Sequence, residues 1–352
     1  MRAHLEKISQ VQRFESQKLK DWFFLNRRLL PWRENPSPYE VWISEVMLQQ
    51  TQVAVVVAYF QRWMNLFPTV QALAAAPLEK VLKVWEGLGY YSRARNLHQG
   101  AQYLMKHHEG ELPPNREELK NVKGLGPYTV GAVLSFAFKQ KAPAVDGNVL
   151  RVLARYFCIE EEIDKGATRK KIEQLTHDLL PNTEPWVVME ALIELGALIC
   201  KKKPSCHLCP LQQSCKAFKL CKAELLPLKK PRAKTTHLHR TVAVIHTGKK
   251  VLMQQGEKGK VMADLWEFPY FDQGCDVAKE LNLSMEHVQE LPQFNHGFTR
   301  YKVFLYPHLY LAEQEDVKNY QWLPYESLGA KAFSSGHRQV LQWLRKNKVL
   351  PI

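Results

Sequence analysis

The chain has 352 residues, 45% of them hydrophobic, and a formal net charge of +14. That is length enough for two or three domains with their own cores, and too much apolar content for a disordered chain. The positive surplus is not local, because residues 1–222 hold 31 Lys/Arg against 22 Asp/Glu and the remainder 18 against 13; this fits a polyanionic partner, although a basic surface that only serves solubility would give the same charge.

Basic residues (Arg2, Lys7, Arg13, Lys18, Lys20, Arg27, Arg28) interrupt the apolar positions of the first thirty, a pattern opposed to a secretory signal, and no run is long enough to span a bilayer. Helical spacing over residues 9–30 (Val11, Phe14, Trp22, Leu25, Leu29) stops at Pro31. Ser37 and Pro38 predict the cap and first turn of one long helix reaching about Leu66. Further helices are expected near 70–75, 78–86, 92–108 and 115–121, the last opened by Asn115 with Glu118 three residues on. Others follow near 147–158, 167–180 and 185–200. Residues 223–236, A-E-L-L-P-L-K-K-P-R-A-K-T-T, lack periodicity and read as a linker. Beyond them, β-branched and aromatic runs at Thr241–Ile245, Val251–Gln255 and Arg300–Leu311, with helices near 274–283 and 335–346, predict a mixed α/β domain. The expected organisation is a mostly α part over 1–222, a linker over 223–236 and an α/β domain over 237–352.

The stretch from Val122 to Val149 is the organising one. Gly124 and Gly126 bracket Leu125 in a sharp turn, and Pro127 sits at the first position of a new helix. Backbone N–H groups at such a turn and helix start make a phosphate cradle. Asp146 follows in the apolar run Ala-Pro-Ala-Val-Asp-Gly-Asn-Val, where it serves equally as the cap of a helix starting at Gly147. Glu45 lies on the Pro38 helix with Val41 and Leu48 on nearly the same face; burial there raises a carboxyl pKa toward neutrality, as a general acid needs, and a merely structural buried Glu reads the same way. A glycosidic bond is broken by such a pair, one acid on the leaving group and one anion beside the sugar. Gly87 and Gly89 form a second turn that would push Leu88 and Tyr90 outward as wedges, unless the tyrosines are core. Cys200, Cys206, Cys209 and Cys215, four of seven cysteines, fall within sixteen residues. This crowding points to a reducing compartment and a metal site, with an iron-sulfur cluster favoured over zinc because only one C-x2-C knuckle is present.

Taken together, E-V-M-L-Q-Q-T-Q-V around Glu45, G-L-G-Y-Y at 87–91, the hairpin G-L-G-P-Y-T, V-D-G-N-V at 145–149, the cysteine cluster and a linked C-terminal domain resemble the helix-hairpin-helix DNA glycosylases, and within them the MutY family of adenine DNA glycosylases. The resemblance implies a six-helix barrel with an iron-sulfur subdomain that holds a [4Fe-4S] cluster, followed by a MutT-like (Nudix-like) domain. It implies that Glu45 protonates adenine and activates water, that Asp146 stabilises the sugar cation, and that Asn148 and Tyr128 support them. Trp32, Arg33, Leu48 and Glu190 would line the adenine pocket; Gln50, Thr51, Leu88 and Tyr90 would meet the opposing 8-oxoguanine; Gly124, Gly126 and Thr129 would hold phosphate. Asn295 and His296 would recognise 8-oxoguanine, with Asn295 standing where the family usually has Ser.

The implied partner is duplex DNA with 8-oxoguanine:A or G:A mispairs, bound by a monomeric, cytoplasmic, nucleoid-associated protein without membrane contact. Strand cutting in the endonuclease III type needs a hairpin Lys, and Tyr128 occupies that place, so a monofunctional glycosylase is expected. The first cysteine spacing is one residue shorter than is usual in the family. The stretch D-V-A-K-E-L-N-L offers only Asp276 and Glu280 to a metal, so nucleotide hydrolysis is not expected.

Overall fold

The structure, a computed structural model, describes residues 14–351 apart from 232, 233, 299, 314 and 315. The expected start of the first helix, at residues 9–13, lies outside them. Two compact units emerge: one holds the residues up to Ala75 with Asn96–Pro231, the other Ala76–Arg95 with the residues from Arg232 on. The division differs from the expected cut after residue 222, because a piece of the helical region packs with the C-terminal sheet.

Among the described residues, the regular structure of the first unit is helical. Helix α1 (Ser16–Asn26) is followed by α2 (Pro38–Leu48), whose start is a complete capping box between Ser37 and Glu40. Helix α2 is buried at Tyr39 and from Val41 through Met47, so Glu45 enters the core with its apolar neighbours. The single long helix expected through Leu66 is instead two, because Gln49 is extended at the cap and Gln50 adopts φ +60° before α3 (Val53–Leu66) begins. Gln-Gln-Thr-Gln contains neither Gly nor Pro, so apolar periodicity runs across the break unmarked.

Helix α4 (Val70–Ala75) closes this stretch of the unit; α5 (Leu78–Trp85) belongs to the second, and the division falls within α6 (Ser92–His107). The hairpin joins α7 (Arg116–Leu119), capped by Asn115, to α8 (Pro127–Ala132) through Gly124, whose φ of +86° suits glycine. Helix α9 (Gly147–Tyr156) starts on Asp146, α10 is Gly166–Leu179, and α11 (Pro185–Leu198) is nearly all apolar. A short α12 (Lys216–Lys219) ends the cysteine loop. The expected linker begins as part of this unit: Leu226 is buried, its carbonyl accepts from Arg155 Nε (2.9 Å), and Leu228 O accepts from Ile163 N (3.0 Å).

The second unit is built on a sheet ordered β3-β2-β1-β7-β5, with β4 also on β1, β6 on β7 and β8 on β2. Strand β1 (Thr236–His246) runs parallel to β7 (Tyr301–Ala312), from Thr236 opposite Tyr301 to His246 opposite Leu311. The others are β2 (Lys250–Gln255), β3 (Trp266–Glu267), β4 (Tyr270–Asp272), β5 (Met285–Glu290), β6 (Phe294–Phe298) and β8 (Gln321–Pro324). One face packs Val242, Val244, Leu305 and Leu309 with Val340 and Leu344 of α14 (Ser335–Lys346); the other packs Ala243, Ile245 and Leu252 with Val277 and Leu281 of α13 (Val277–Leu281). Strands β5 and β6 escape sequence reading because β5 is almost wholly exposed and β6 alternates over only Phe294–Phe298, with His296 between its two phenylalanines.

Candidate active site

The break between α2 and α3, the start of α9 and the middle of α11 surround one cavity of about 630 Å³. Glu45, Tyr128, Asp146, Asn148, Trp32, Arg33, Leu48, Gln50, Thr51 and Glu190 all line it. Ten residues drawn from five separate stretches of sequence therefore meet in one place.

Glu45 is 7% exposed. Burial raises its carboxyl, the Tyr128 hydrogen bond opposes, and the charges of Asp146 and Glu190 add to the rise, leaving a pKa of about 7. The Tyr128 hydroxyl donates to Glu45 Oε2, which leaves Oε1 free of that bond. Asp146 Oδ1 accepts from the backbone N–H of Asn148 (2.9 Å) and of Val149 (2.8 Å), and Oδ2 accepts from Asn148 Nδ2 (2.7 Å). Burial raises the Asp146 pKa, and those donors work against it by favouring the anion. The cap is present as the sequence suggests, and it fixes both oxygens. Asn148 is itself held, its Oδ1 accepting from Arg151 Nη2 (2.8 Å), while the same guanidinium donates to Gly196 O and Cys200 O (both 2.7 Å).

What holds Arg33 is a contact that no local pattern announces. Glu194, fully buried, accepts from Arg28 Nε (2.7 Å) and Nη2 (2.8 Å) and from Arg33 Nη2 (2.7 Å). Burial alone would raise its carboxyl, but these bonds pull it down to about 2, so it stays charged. Arg33 Nε lies 3.6 Å from Glu190, whose pKa burial raises. The available signal was two glutamates four apart in an otherwise apolar helix, P-W-V-V-M-E-A-L-I-E-L-G-A-L.

Other expected positions fall differently. Thr129 is fully buried and its hydroxyl accepts from Gln49 Nε2 (3.3 Å), so its side chain braces the α2 break. Gly124 and Gly126 stay near the surface of the hairpin. Leu88 and Tyr90 belong to the second unit; Leu88 is buried at 6%, while Tyr90 is 51% exposed, so the turn presents the tyrosine and keeps the leucine as core. On β6, Asn295 is exposed and its Oδ1 accepts from Gln293 Nε2 (2.8 Å), whereas His296 turns to the other face with Nδ1 buried against Gly336. The two side chains are therefore not presented together, since β alternation puts neighbours on opposite faces.

Cys200, Cys206, Cys209 and Cys215 line one pocket walled by Val152, Leu195 and Leu211. Arg155 Nη1 donates to Cys200 Sγ (3.2 Å). Burial above all raises the Cys209 thiol, the Leu211 N–H opposes and the neighbouring cysteines add to the rise, leaving a pKa of about 12. Among the described residues no three His, Cys, Asp or Glu side chains are arranged to hold a metal ion. The donor set itself, four soft ligands with a cation beside the first, suits a thiophilic centre.

Comparison with known proteins agrees with this geometry. Residues 43–178 match the family described as HhH-GPD superfamily base excision DNA repair protein, and residues 241–343 match the NUDIX domain family. The chain is 36% identical over 329 residues to an adenine DNA glycosylase of Arabidopsis thaliana, covering 80% of this chain and 52% of that one, so it spans about half of that relative. It is 32% identical over 302 residues to an adenine DNA glycosylase of Buchnera aphidicola, covering 83% of this chain and 84% of the other. Among solved structures, a trapped endonuclease III–DNA covalent intermediate superposes with a TM-score of 0.52 at 27% identity, over 59% of this chain and 96% of that one. With the helical site, the C-terminal sheet and these likenesses in agreement, the chain belongs to the adenine DNA glycosylase family of helix-hairpin-helix base excision repair enzymes, hydrolases of N-glycosyl bonds.

Proposed function

We propose that this protein hydrolyses the N-glycosidic bond of adenine opposite 8-oxoguanine or guanine in duplex DNA, leaving the strand intact. The observation that carries the reading is the pair Glu45 and Asp146 on one cavity, one carboxyl raised to about 7 and the other held at both oxygens by N–H donors. Glu45, with about half of its population still protonated near neutrality, gives its proton to the base as the bond electrons leave with it. Asp146 sits against the cation that forms at the sugar. Water then attacks that carbon, and its proton returns to Glu45. Tyr128 orients Glu45 and has no amine with which to trap the sugar as a Schiff base.

The base must leave the duplex to reach such a cavity. Trp32, Arg33, Leu48 and Glu190 then receive it, Gln50 and Thr51 stand at the α2 break toward the opposing base, and the exposed hairpin at Gly124 and Gly126 holds phosphate. In the C-terminal domain Gln293 occupies the Asn295 oxygen, which leaves the Asn295 Nδ2 to donate to a carbonyl such as O8 of 8-oxoguanine. The four cysteines would hold a [4Fe-4S] cluster, and with it a rigid loop offering Lys201, Lys202 and Lys203 to the DNA backbone; all three are exposed. The proposed working form is a monomer on nucleoid DNA. No described helix is long and apolar enough to cross a membrane.

Duplexes with A, C, G or T opposite 8-oxoguanine or guanine test this, with abasic sites revealed by alkali. Loss of A alone, faster opposite 8-oxoguanine, and no strand break before alkali are expected. Removal of another base, or abundant borohydride-trapped adduct, defeats the proposal.

A further inference from the structure

Residues 76–95 belong by sequence to the glycosylase match and by packing to the C-terminal unit. The physical cause is a set of side chains that grip one piece of C-terminal backbone. Phe333 N–H donates to Glu86 Oε1 (2.9 Å), Tyr91 Oη donates to Phe333 O (3.1 Å), and Lys83 Nζ donates to Lys331 O (2.8 Å) while pairing with Glu86 Oε2 (2.9 Å). The far side of that backbone is fixed too, since Trp266 N donates to Ala332 O (2.8 Å). At the start of α5, Glu79 accepts from Trp266 Nε1 (3.2 Å) and pairs with Lys331 (2.9 Å); beyond the turn, Arg95 donates to Ala263 O (2.7 Å).

Between these anchors lies the turn 86–91, and its backbone is not relaxed. Gly87 and Gly89 have φ of +108° and +70°, and Tyr90, which has a bulky side chain, has φ of +47°. A non-glycine residue in the left-handed region persists only where its surroundings over-determine it. Local contacts contribute: Trp85 Nε1 donates to Gly89 O (3.0 Å) and Arg93 Nη2 to Leu88 O (3.0 Å). The flanks, Glu86 and Tyr91, are tied by the C-terminal domain.

We propose that the C-terminal domain acts on base discrimination through this clamp, by holding the turn so that Tyr90 is already presented outward, with Glu86 and Tyr91 as positioning residues. The inference rests on the reading that the turn meets the base opposite the target adenine. It assigns the domain a second route to selectivity beside direct contact by Asn295.

Single-turnover rates on 8-oxoguanine:A and G:A duplexes test it in the full-length protein. Tyr91→Phe lowers the preference for 8-oxoguanine:A about fivefold, the loss expected from one hydrogen bond, Glu86→Ala lowers it at least as much because it also loses the Lys83 ion pair, and both leave the G:A rate within about twofold. Glu86→Gln, which keeps an acceptor for Phe333 N–H, restores most of the preference. Amide exchange at residues 88–91 quickens in Tyr91→Phe relative to wild type. An unchanged preference in both variants, an equal fall on both substrates, or unchanged amide exchange overturns the clamp. Should either variant fail to fold, Lys331→Gln, which loses the ion pair to Glu79 and the cation–π contact with the Trp266 ring, must shift the preference in the same direction or the proposal falls. A wild-type protein inactive on both duplexes would instead sink the functional reading; an active wild type with insensitive variants sinks the clamp alone.

Discussion

A carboxylic acid that must give up a proton at neutral pH has to sit where its charge is unwelcome, and Glu45 sits in such a place. Its folded pKa of about 7 lies above the ordinary 4.5, so the fold prefers the protonated form. The sign follows: the stability of the protein is unaffected by this group below 4.5 and declines as pH rises from 4.5 through 7. The rise corresponds to a penalty of about 3 kcal/mol at alkaline pH. Glu45→Gln removes that penalty, so the variant should be more stable than wild type by up to about 3 kcal/mol at pH 8.5 and equal to it near pH 4, read by urea unfolding. Its glycosylase rate should fall by about 10²- to 10⁴-fold. Equal stability at both pH values would show that Glu45 is not desolvated in solution. Glu45 and Asp146 were legible as a pair from residue type and motif, whereas Glu194 and Arg28 were not, because an ion pair across 166 positions leaves no local pattern.

At the scale of elements, the site depends on how closely α9 and α11 approach. A Cβ at Gly196 would meet Asn148 Cβ at 2.6 Å and Asn148 Cα at 3.0 Å, contacts with a side-chain root and backbone that cannot swing away. Gly196→Ala should therefore cost about 1–3 kcal/mol of stability. By displacing Asn148, whose Nδ2 holds Asp146 Oδ2, it should also lower kcat at least tenfold with little change in KM. A variant with wild-type rate and stability would mean that the two helices have slack. The break between α2 and α3 is the element the sequence hid: no Gly or Pro marks it, yet Gln50 at φ +60° turns Gln50 and Thr51 into the cavity.

For the whole molecule, a net charge of +14 and the exposed lysines of the cysteine loop should make binding to undamaged duplex mainly electrostatic. Its affinity should fall by about 10³-fold between 50 and 200 mM salt if some six phosphates are neutralised, measured by fluorescence anisotropy; a shallow dependence would argue against a basic DNA-binding surface. The sequence by itself determined what its local patterns encode: helices with their caps, the glycine turn of the hairpin, the long strands β1, β2 and β7, the four grouped cysteines, and the motif pair Glu45 and Asp146. Those features are legible because their causes lie within a few residues of one another. Only the tertiary structure decided that Leu88 is core while Tyr90 is presented, that Thr129 and His296 face inward, that Glu194 anchors Arg33, and that residues 76–95 pack with the C-terminal sheet. Each of these depends on which distant surface a side chain meets, and burial and long-range hydrogen bonding are properties of the folded chain rather than of any window of it.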